Sequence, residues 1–500
     1  MVKIKKRYPL GINCLLLFSL IVVLSSCFSP YAEDEATVTI DLGSGTAGRM
    51  SYGPGVSGYP YVSDLRFEVV FTPTGSSGTR KTITADGPRT DRIRGIVAPG
   101  EYRVTVEVFL LADQSLYASG QAVDSAGVLL DFVSITMGSN LITVRMNMDP
   151  DVRGLGTPEK PFKVYDETSM KMVGRGEAGT QYAGWTLSAH YILIRDIPLT
   201  GEWTRIPGVF TGTFDGNRKT ISGLTITSAT AVQQGLFQGN SGTIKNLGLV
   251  GVNININESA VGGIAGGNTG SGRVENCYVI GSISGSSNIG GIVGNNQSIV
   301  ENCYFTGSVN GTSSIGGIAG NNQPGGRLVN CYSTGNVSGS GTIIGGIAGA
   351  NQNIVENCYS TSSVSGVGAV GGIAGNNLQV TYTVENCVAL NDTITDTLDG
   401  IVNTFGRVVG GIISGSTLQN NHGRDGMQFI RNTTPQATFP DLDDTVTGKD
   451  GADVTTTQAG NRTWWESPAG PGWTIHANRV QASEASPWYW GGGRPRLWFE

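Results

Sequence analysis

The chain has 500 residues, 75 of them Gly, with 14% charged residues and a formal net charge of −6. It is too apolar and too regularly patterned to be disordered, and it lacks the basic face that phosphate neutralisation requires, which excludes a nucleic-acid partner. The balance suits an all-β protein whose exterior is paved with Ser, Thr, Asn and Gly.

In chain order, the first element is an export signal over residues 1–26. Lys3, Lys5, Lys6 and Arg7 precede a short apolar core, Leu15 to Leu24, which ends in Leu24-Ser25-Ser26-Cys27. The apolar run is too short to span a bilayer comfortably. Its ending resembles the bacterial lipoprotein signal, in which the Cys becomes the lipidated first residue. That resemblance implies a membrane partner through Cys27 and a lipidated tether over 27–35. With Phe28 after the Cys, it implies an outer-membrane lipoprotein exposed at the cell surface. Multiple acyl chains on Cys27 would anchor stably, because a single chain binds only marginally.

Residues 36–148 read as short strands. Thr37–Ile40, Phe67–Phe71, Tyr102–Val108 and Leu141–Met146 alternate or run apolar, with turns at Pro99-Gly100 and Gly138-Ser139-Asn140. Six or seven such strands predict a small β-sandwich, and "APGEYRVTVEV" resembles pieces of immunoglobulin-like modules. Gly43-Ser44-Gly45-Thr46-Ala47-Gly48 matches the dinucleotide-binding pattern. The following Met50-Ser51-Tyr52-Gly53-Pro54 cannot open the helix that such a site needs, so it reads as a turn or stalk. Residues 149–160, rich in Pro, Gly and charge, form a linker.

Beyond about residue 240 the chain repeats itself. Asn276-Cys277, Asn302-Cys303, Asn330-Cys331, Asn357-Cys358 and Asn386-Cys387 recur every 26 to 29 residues, and Tyr follows the first four pairs. Gly-Gly-Ile recurs at 262–264, 290–292, 316–318, 345–347, 371–373 and 410–412. No such unit can bury its own face, so the copies must stack, returning each residue type to one column. The Asn column reads as an amide ladder and the Cys column as small interior side chains. No His stands near those cysteines, and zinc needs ligands gathered around one centre. Glu275, Glu301, Glu356 and Glu385 share another column, interrupted by Val329. Stacked carboxylates call for hydration or a bridging cation, and an exposed, hydrated face is the default.

Val261-Gly262-Gly263-Ile264-Ala265-Gly266, Ile315–Asn322 and "NCYSTGNVSG" resemble the GLUG repeat of bacterial surface and adhesin-like proteins. Residues 190–226 are similar to the segment that leads into such repeats, through Asp196-Ile197, Trp203, Gly212–Gly216 and Ile221–Leu224. Gly235-Leu236-Phe237 then introduces the first coil. The resemblance implies a right-handed parallel β-helix outside the cell and supplies no catalytic residues. On this reading 161–235 is an N-terminal cap with the first coils, and 236–423 holds the repeats. The polar stretch 424–460 is a loop leaving the rod, and 461–500 is a Trp-rich C-terminal cap. The stretch 388–409 is a second, shorter insertion.

Several chemistries are weighed against this frame. Glycoside hydrolysis needs two carboxylates facing across a groove, yet no Asp lies between Asp215 and Asp392, and the coils add only the Glu column, Arg273 and Arg327. The expectation is therefore no catalytic residue, metal or cofactor, with a polysaccharide-active enzyme as a minor alternative. Trp488, Tyr489, Trp490 and Trp498 are candidate ligand-contact aromatics, and an aromatic cap is the competing role. The favoured function is an adhesin-like monomer binding an extracellular glycan or matrix protein, with specificity in the 388–460 loops. A structural envelope scaffold is the alternative.

Overall fold

The computed structural model describes residues 36–41, 65–148 and 154–500, apart from 76–78, 87–91, 112–113, 115, 127, 177, 179–181, 230, 378, 380, 398–403, 414–415, 437–438 and 440–442. The leader, Cys27, the tether and the Gly43–Gly48 turn lie outside these residues. The chain divides into two units, Met1–Val152 and Arg153–Glu500.

The first unit has eight strands: β1 (Ala36–Asp41), β2 (Leu65–Pro73), β3 (Lys81–Asp86), β4 (Arg92–Val97), β5 (Gly100–Leu110), β6 (Leu116–Val123), β7 (Val133–Ile135) and β8 (Ser139–Met148). Hydrogen bonding runs β3-β2-β5-β6-β8-β1-β4, with β7 added to β5. Only the β1–β8 pair is parallel. Alternation explains the layer: Val38, Ile40, Phe67, Val69, Val104, Val106, Ile142 and Val144 are buried, while Thr37, Arg103, Glu107 and Leu141 between them are exposed. A Cβ at Gly95 on β4 would collide with Ile83 on β3, so the two edges of the sheet close over that core.

The second unit is a parallel β-solenoid of about ten turns. Three columns of in-register strands form its faces. The first runs through Arg273–Glu275 and Tyr278–Ser284, the second through Ala265–Asn268, and the third through Val261–Gly262 and their equivalents in each turn. More turns exist than the six Gly-Gly-Ile copies suggest, because the lead-in residues also coil: His190–Leu193 pairs with Thr213–Ser222, which pairs with Thr243–Asn255. The sixth copy is out of register: Gly410-Gly411-Ile412 aligns with Gly375-Asn376-Asn377, and Gly406-Arg407-Val408 takes the Gly-Gly-Ile place in the last turn. In the other five copies the second Gly makes room for the opposite wall. A Cβ at Gly291 would meet the Phe305 ring. Val274, Cys277, Val279, Ile283, Ile289, Ile292 and Val293 fill one turn of a continuous apolar interior.

At the N-terminal end Phe162, Tyr182, Trp185 and Tyr191 pack ring against ring over the first turns. The short helix Glu167–Met172 is started by an Asp166–Ser169 capping box and buries Met170 there. The C-terminal end differs from the sequence reading. Residues 424–460 do not leave the rod. Gln428–Arg431 is a strand of the first face, paired with Thr393–Asp396 from the 388–409 insertion. Lys449 O accepts from Val408 N and Val409 N, and Asp450 Oδ1 accepts from Arg407 N, so this segment closes the last turn. The physical reason is the open strand edge: unpaired N–H groups at 408–409 recruit the nearest following chain.

Candidate functional site

Each repeat bends at its Asn. Asn246, Asn276, Asn302, Asn330, Asn357, Asn386 and Asn420 all have φ between 51° and 54°, a left-handed conformation that Asn tolerates. The bend turns the next residue inward, placing Cys277, Cys303, Cys331, Cys358 and Cys387 in the core, fully buried and free. Each thiol donates to the carbonyl two residues earlier at 3.2 Å. Burial pushes the Cys303, Cys331 and Cys358 thiols well up, so these are packing groups rather than nucleophiles. The column starts at Leu247 and ends at Asn421, whose Oδ1 accepts from Cys387 N at 3.0 Å. Among the described residues no group of three or more His, Cys, Asp or Glu is placed to hold a metal.

The sequence reading missed a second ladder. Asn240, Asn268, Asn296, Asn322, Asn351 and Asn377 are fully buried, and the first five Nδ2 groups each donate to the next Oδ1 at 2.8–2.9 Å, while Asn377 Nδ2 donates to Tyr382 O. Their recurrence four residues after the Gly-Gly-Ile isoleucine was the available signal.

Outside the bend lies a stack of tyrosines. Tyr278, Tyr304, Tyr332 and Tyr359 stand ring over ring, with centroids 4.8–5.0 Å apart and planes within 7°. Residues 475–500 run back along this flank as a strap. Trp473 Nε1 donates to Asn386 O at 3.0 Å, Tyr359 Oη to Pro495 O at 2.9 Å, and Tyr332 Oη to Glu500 Oε2 at 2.8 Å. Farther back, Trp498 Nε1 donates to Asn276 Oδ1, and the Arg218 guanidinium lies 4.5 Å over the Trp498 ring.

The Trp-rich segment is thus on the side of the solenoid, not over its end. The aromatics proposed for ligand contact are mostly spent there. Trp488 is buried and stacked on Trp473 at 4.8 Å, Trp490 packs against the same cluster, and Trp498 lies edge-on to Phe499. Tyr489 sits half-buried on the strap's outer hairpin, opposite Arg496.

The Glu column is not a bare row of carboxylates. Arg273 bridges Glu275 and Glu301, and Arg327 pairs with Glu356 at 3.0 Å. Burial, with Glu275 close by, raises the Glu301 carboxyl despite Arg273. Two neighbouring carboxylates are what a hydrolase needs. Here, however, the strap's Glu484 occupies the same corner, accepting from Asn276 Nδ2 at 2.9 Å.

The open surface beside the strap is the outer side of strands Tyr278–Ser284, Tyr304–Gly311, Tyr332–Gly339 and Ser363–Gly366, none of which contains Asp, Glu, Lys or Arg. Registers place Ser282, Ser308, Asn336 and Ser363 in one column and Ser284, Asn310, Ser338 and Ser365 in the next. Inter-turn hydrogen bonds fix several of them: Ser282–Ser308 at 2.9 Å, Asn310 Nδ2 to Ser338 Oγ at 2.9 Å, Thr334 Oγ1 to Thr306 Oγ1 at 3.0 Å. The result is a flat, uncharged grid of hydroxyls and amides repeating at the strand spacing of about 4.8 Å.

Comparison with known proteins agrees on the repeats. Residues 257–284 and 285–310 match the GLUG motif. Halomucin of Haloquadratum walsbyi is 32% identical over 160 residues, 29% of this chain but 2% of halomucin, so the chain spans a small fraction of that relative. A solved Bacteroides ovatus structure, provisionally designated an immunoglobulin A1 protease, is similar over 69% of this chain and 95% of its own, at 20% identity and a TM-score of 0.46. At that score the likeness carries no inference about activity.

Proposed function

Taking a GLUG-repeat β-solenoid as the premise, we propose that this protein is a non-catalytic binding protein of the cell surface, held at the envelope by a lipid on Cys27, and that its uncharged hydroxyl and amide grid is the binding face. The observation that carries this reading is the grid itself: ordered polar columns without a charge, left open while the neighbouring flank is covered by its own strap. Such a surface suits a neutral glycan, whose hydroxyls both donate and accept along its length. With the aromatics committed to the strap, each subsite is weak, and affinity grows with the number of turns engaged. The 388–460 loops are less suited to the task, since 428–431 and 449–454 complete the last turns of the rod.

The test is a glycan and matrix-protein array with the soluble chain from residue 33 onward, beside Ser308→Glu/Asn336→Glu. Selective binding to neutral glycans that falls at least tenfold in the variant is expected. Binding indifferent to these substitutions would remove the grid from consideration. A blank array for both proteins would favour the scaffold role, in which the rod spaces or reinforces the envelope.

A further inference from the structure

The N-terminal unit has an unusual distribution of apolar surface. Among the described residues fifteen large hydrophobics are exposed, and seven of them fall on one end of this unit. They include Ile96, Leu129, Leu130, Phe132, Met137 and Leu141, with Met137 58% and Leu141 63% exposed.

Strand registers place them together. Thr37, at the start of β1, pairs with Ile96 on β4 and with Ser139 at the start of β8. Thr37 N donates to Gly138 O at 3.0 Å, directly beside Met137. The Val123–Leu129 bridge, and Leu130 N donating to Ala122 O, bring the Leu129–Leu130 segment to the same end. β7 follows Phe132 and pairs with the first residues of β5 there. β8 then runs away from this end.

The position of the tether decides what covers this patch. Only eight residues, 28–35, separate Cys27 from β1. Fully extended they reach about 30 Å at most, and β1 begins inside the patch. A lipid on Cys27 therefore keeps this end of the unit within about 30 Å of the membrane. An open groove of about 660 Å³ at the same end is lined by Arg80 and Lys81, cations suited to lipid phosphates, together with the carboxylate of Glu101.

We infer that this end of the N-terminal unit docks onto the bilayer surface, an inference that rests on the lipid-anchor reading of Cys27. Leu129, Leu130, Phe132 and Met137 enter the boundary between headgroups and acyl chains. Asp131 lies between Leu130 and Phe132 and limits the depth, because its carboxylate must stay among the headgroups. The anchor and the patch together form a two-point attachment that fixes the unit's orientation, which a single acyl anchor does not do.

The experiment has three parts. Mass spectrometry of the protein made in a bacterium reads the lipid on Cys27. Flotation with phosphatidylethanolamine–phosphatidylglycerol vesicles reads the patch, using the unlipidated chain from residue 28 onward and its Leu130→Ser/Phe132→Ser variant. A polarity-sensitive dye on Met137→Cys reports immersion, since the five native repeat thiols are buried. We expect partition to fall at least tenfold in the double variant with an unchanged melting midpoint, and the dye to move into an apolar environment on vesicles. Equal partition of parent and variant, no partition of the parent, or a dye that stays in water would each overturn the docking. So would a vesicle-free dimer lost in the variant, which would make the patch an interface between copies. A lipid without partition refutes the patch alone, and partition without a lipid refutes the anchor alone.

Discussion

Asn240, Asn268, Asn296, Asn322, Asn351 and Asn377 lie fully buried at the end of the second face, whereas the seven asparagines from Asn246 to Asn420 stand at a left-handed bend on the flank. In the buried column every Nδ2 but that of Asn377, which donates to Tyr382 O, finds the next Oδ1, and a strand carbonyl supplies a further acceptor: Asn296 to Arg327 O, Asn322 to Ile354 O. On the flank the chain of amides is uneven. Asn302 donates to Asn276 and Asn330 to Asn302, but Asn357 turns to Glu356, and the oxygens of Asn276 and Asn330 accept from Trp498 and Trp488 of the strap. A buried amide is satisfied by identical neighbours above and below and by the rod's own backbone. A flank amide has other partners, so its column can serve as a socket for another segment. The same residue type at the same period is a spine in one place and a landing strip in the other.

The sharpest way to break this comparison is to cut the buried column. Asn322→Leu is nearly the same size but removes three hydrogen bonds, from Asn296 Nδ2, to Asn351 Oδ1 and to Ile354 O, while Asn296 Nδ2 keeps Ser298 O and Asn351 Oδ1 keeps Asn353 N. At about 0.5–1.5 kcal/mol for each lost bond, the loss is on the order of 3 kcal/mol. Urea denaturation followed by far-UV circular dichroism measures it. A loss below about 1 kcal/mol would mean that the buried ladder is merely tolerated and not a spine.

The outer Tyr column offers a second, pH-dependent test. After Tyr359 it continues through Val388 to His422, which is buried edge-on against Trp464. Burial pulls the His422 pKa down from 6.5 to about 4. The unfolded imidazole takes up a proton near 6.5 while the folded one resists until about 4. Stability is therefore fully present above 6.5 and is lost as pH falls between those values. The interval corresponds to roughly 3 kcal/mol. Denaturation midpoints at pH 7.5 and 4.5, for the parent and for His422→Val, read it directly. The variant, which repeats the Val of the turn before, should flatten the acid loss. An equal acid loss in both proteins would assign it to carboxylates instead.

How much of this was legible beforehand follows from what a period can and cannot encode. The Cys, Tyr and Asn columns recur at a fixed spacing, so their stacking could be read from residue numbers alone. The buried Asn ladder recurs equally well, but next to Asn295 and Asn321 nothing in the letters says which Asn of each pair points inward. The strap was not legible, because its partners lie from 87 residues away, at Asn386, to as far back as Arg218, and it follows no period. Aromatic density at 464–498 was readable, and its direction was not: those rings serve equally to cover an end, stack on a sugar or lie on a tyrosine column. The lid at 443–454 was missed for a similar reason. Asp443 and Asp450 look like a polar loop, yet Asp450 is fully buried, accepting from Arg407 N and Asp443 N.

The smallest expected effect tests whether the flank column is held by backbone or by side chain. Asn330 has φ 52°, and its amide both donates to Asn302 Oδ1 and accepts from Trp488 Nε1 at 3.4 Å. Asn330→Ala removes the side chain and places a Cβ residue in the left-handed region, at a backbone cost of about 1–2 kcal/mol. Asn330→Gly removes the same side chain without that cost. If the bend is the main reason for Asn on the flank, Gly should recover most of the stability that Ala loses. The difference between the two in urea denaturation should then approach about 1 kcal/mol. If Ala and Gly lose the same amount, the amide contacts dominate, and the flank column is a second spine despite its exposure to the strap. Repeating the pair in a chain ending at residue 474 separates these cases further. Without the strap the Trp488 contact is gone for every variant, so any remaining Ala-to-Gly difference belongs to the bend alone.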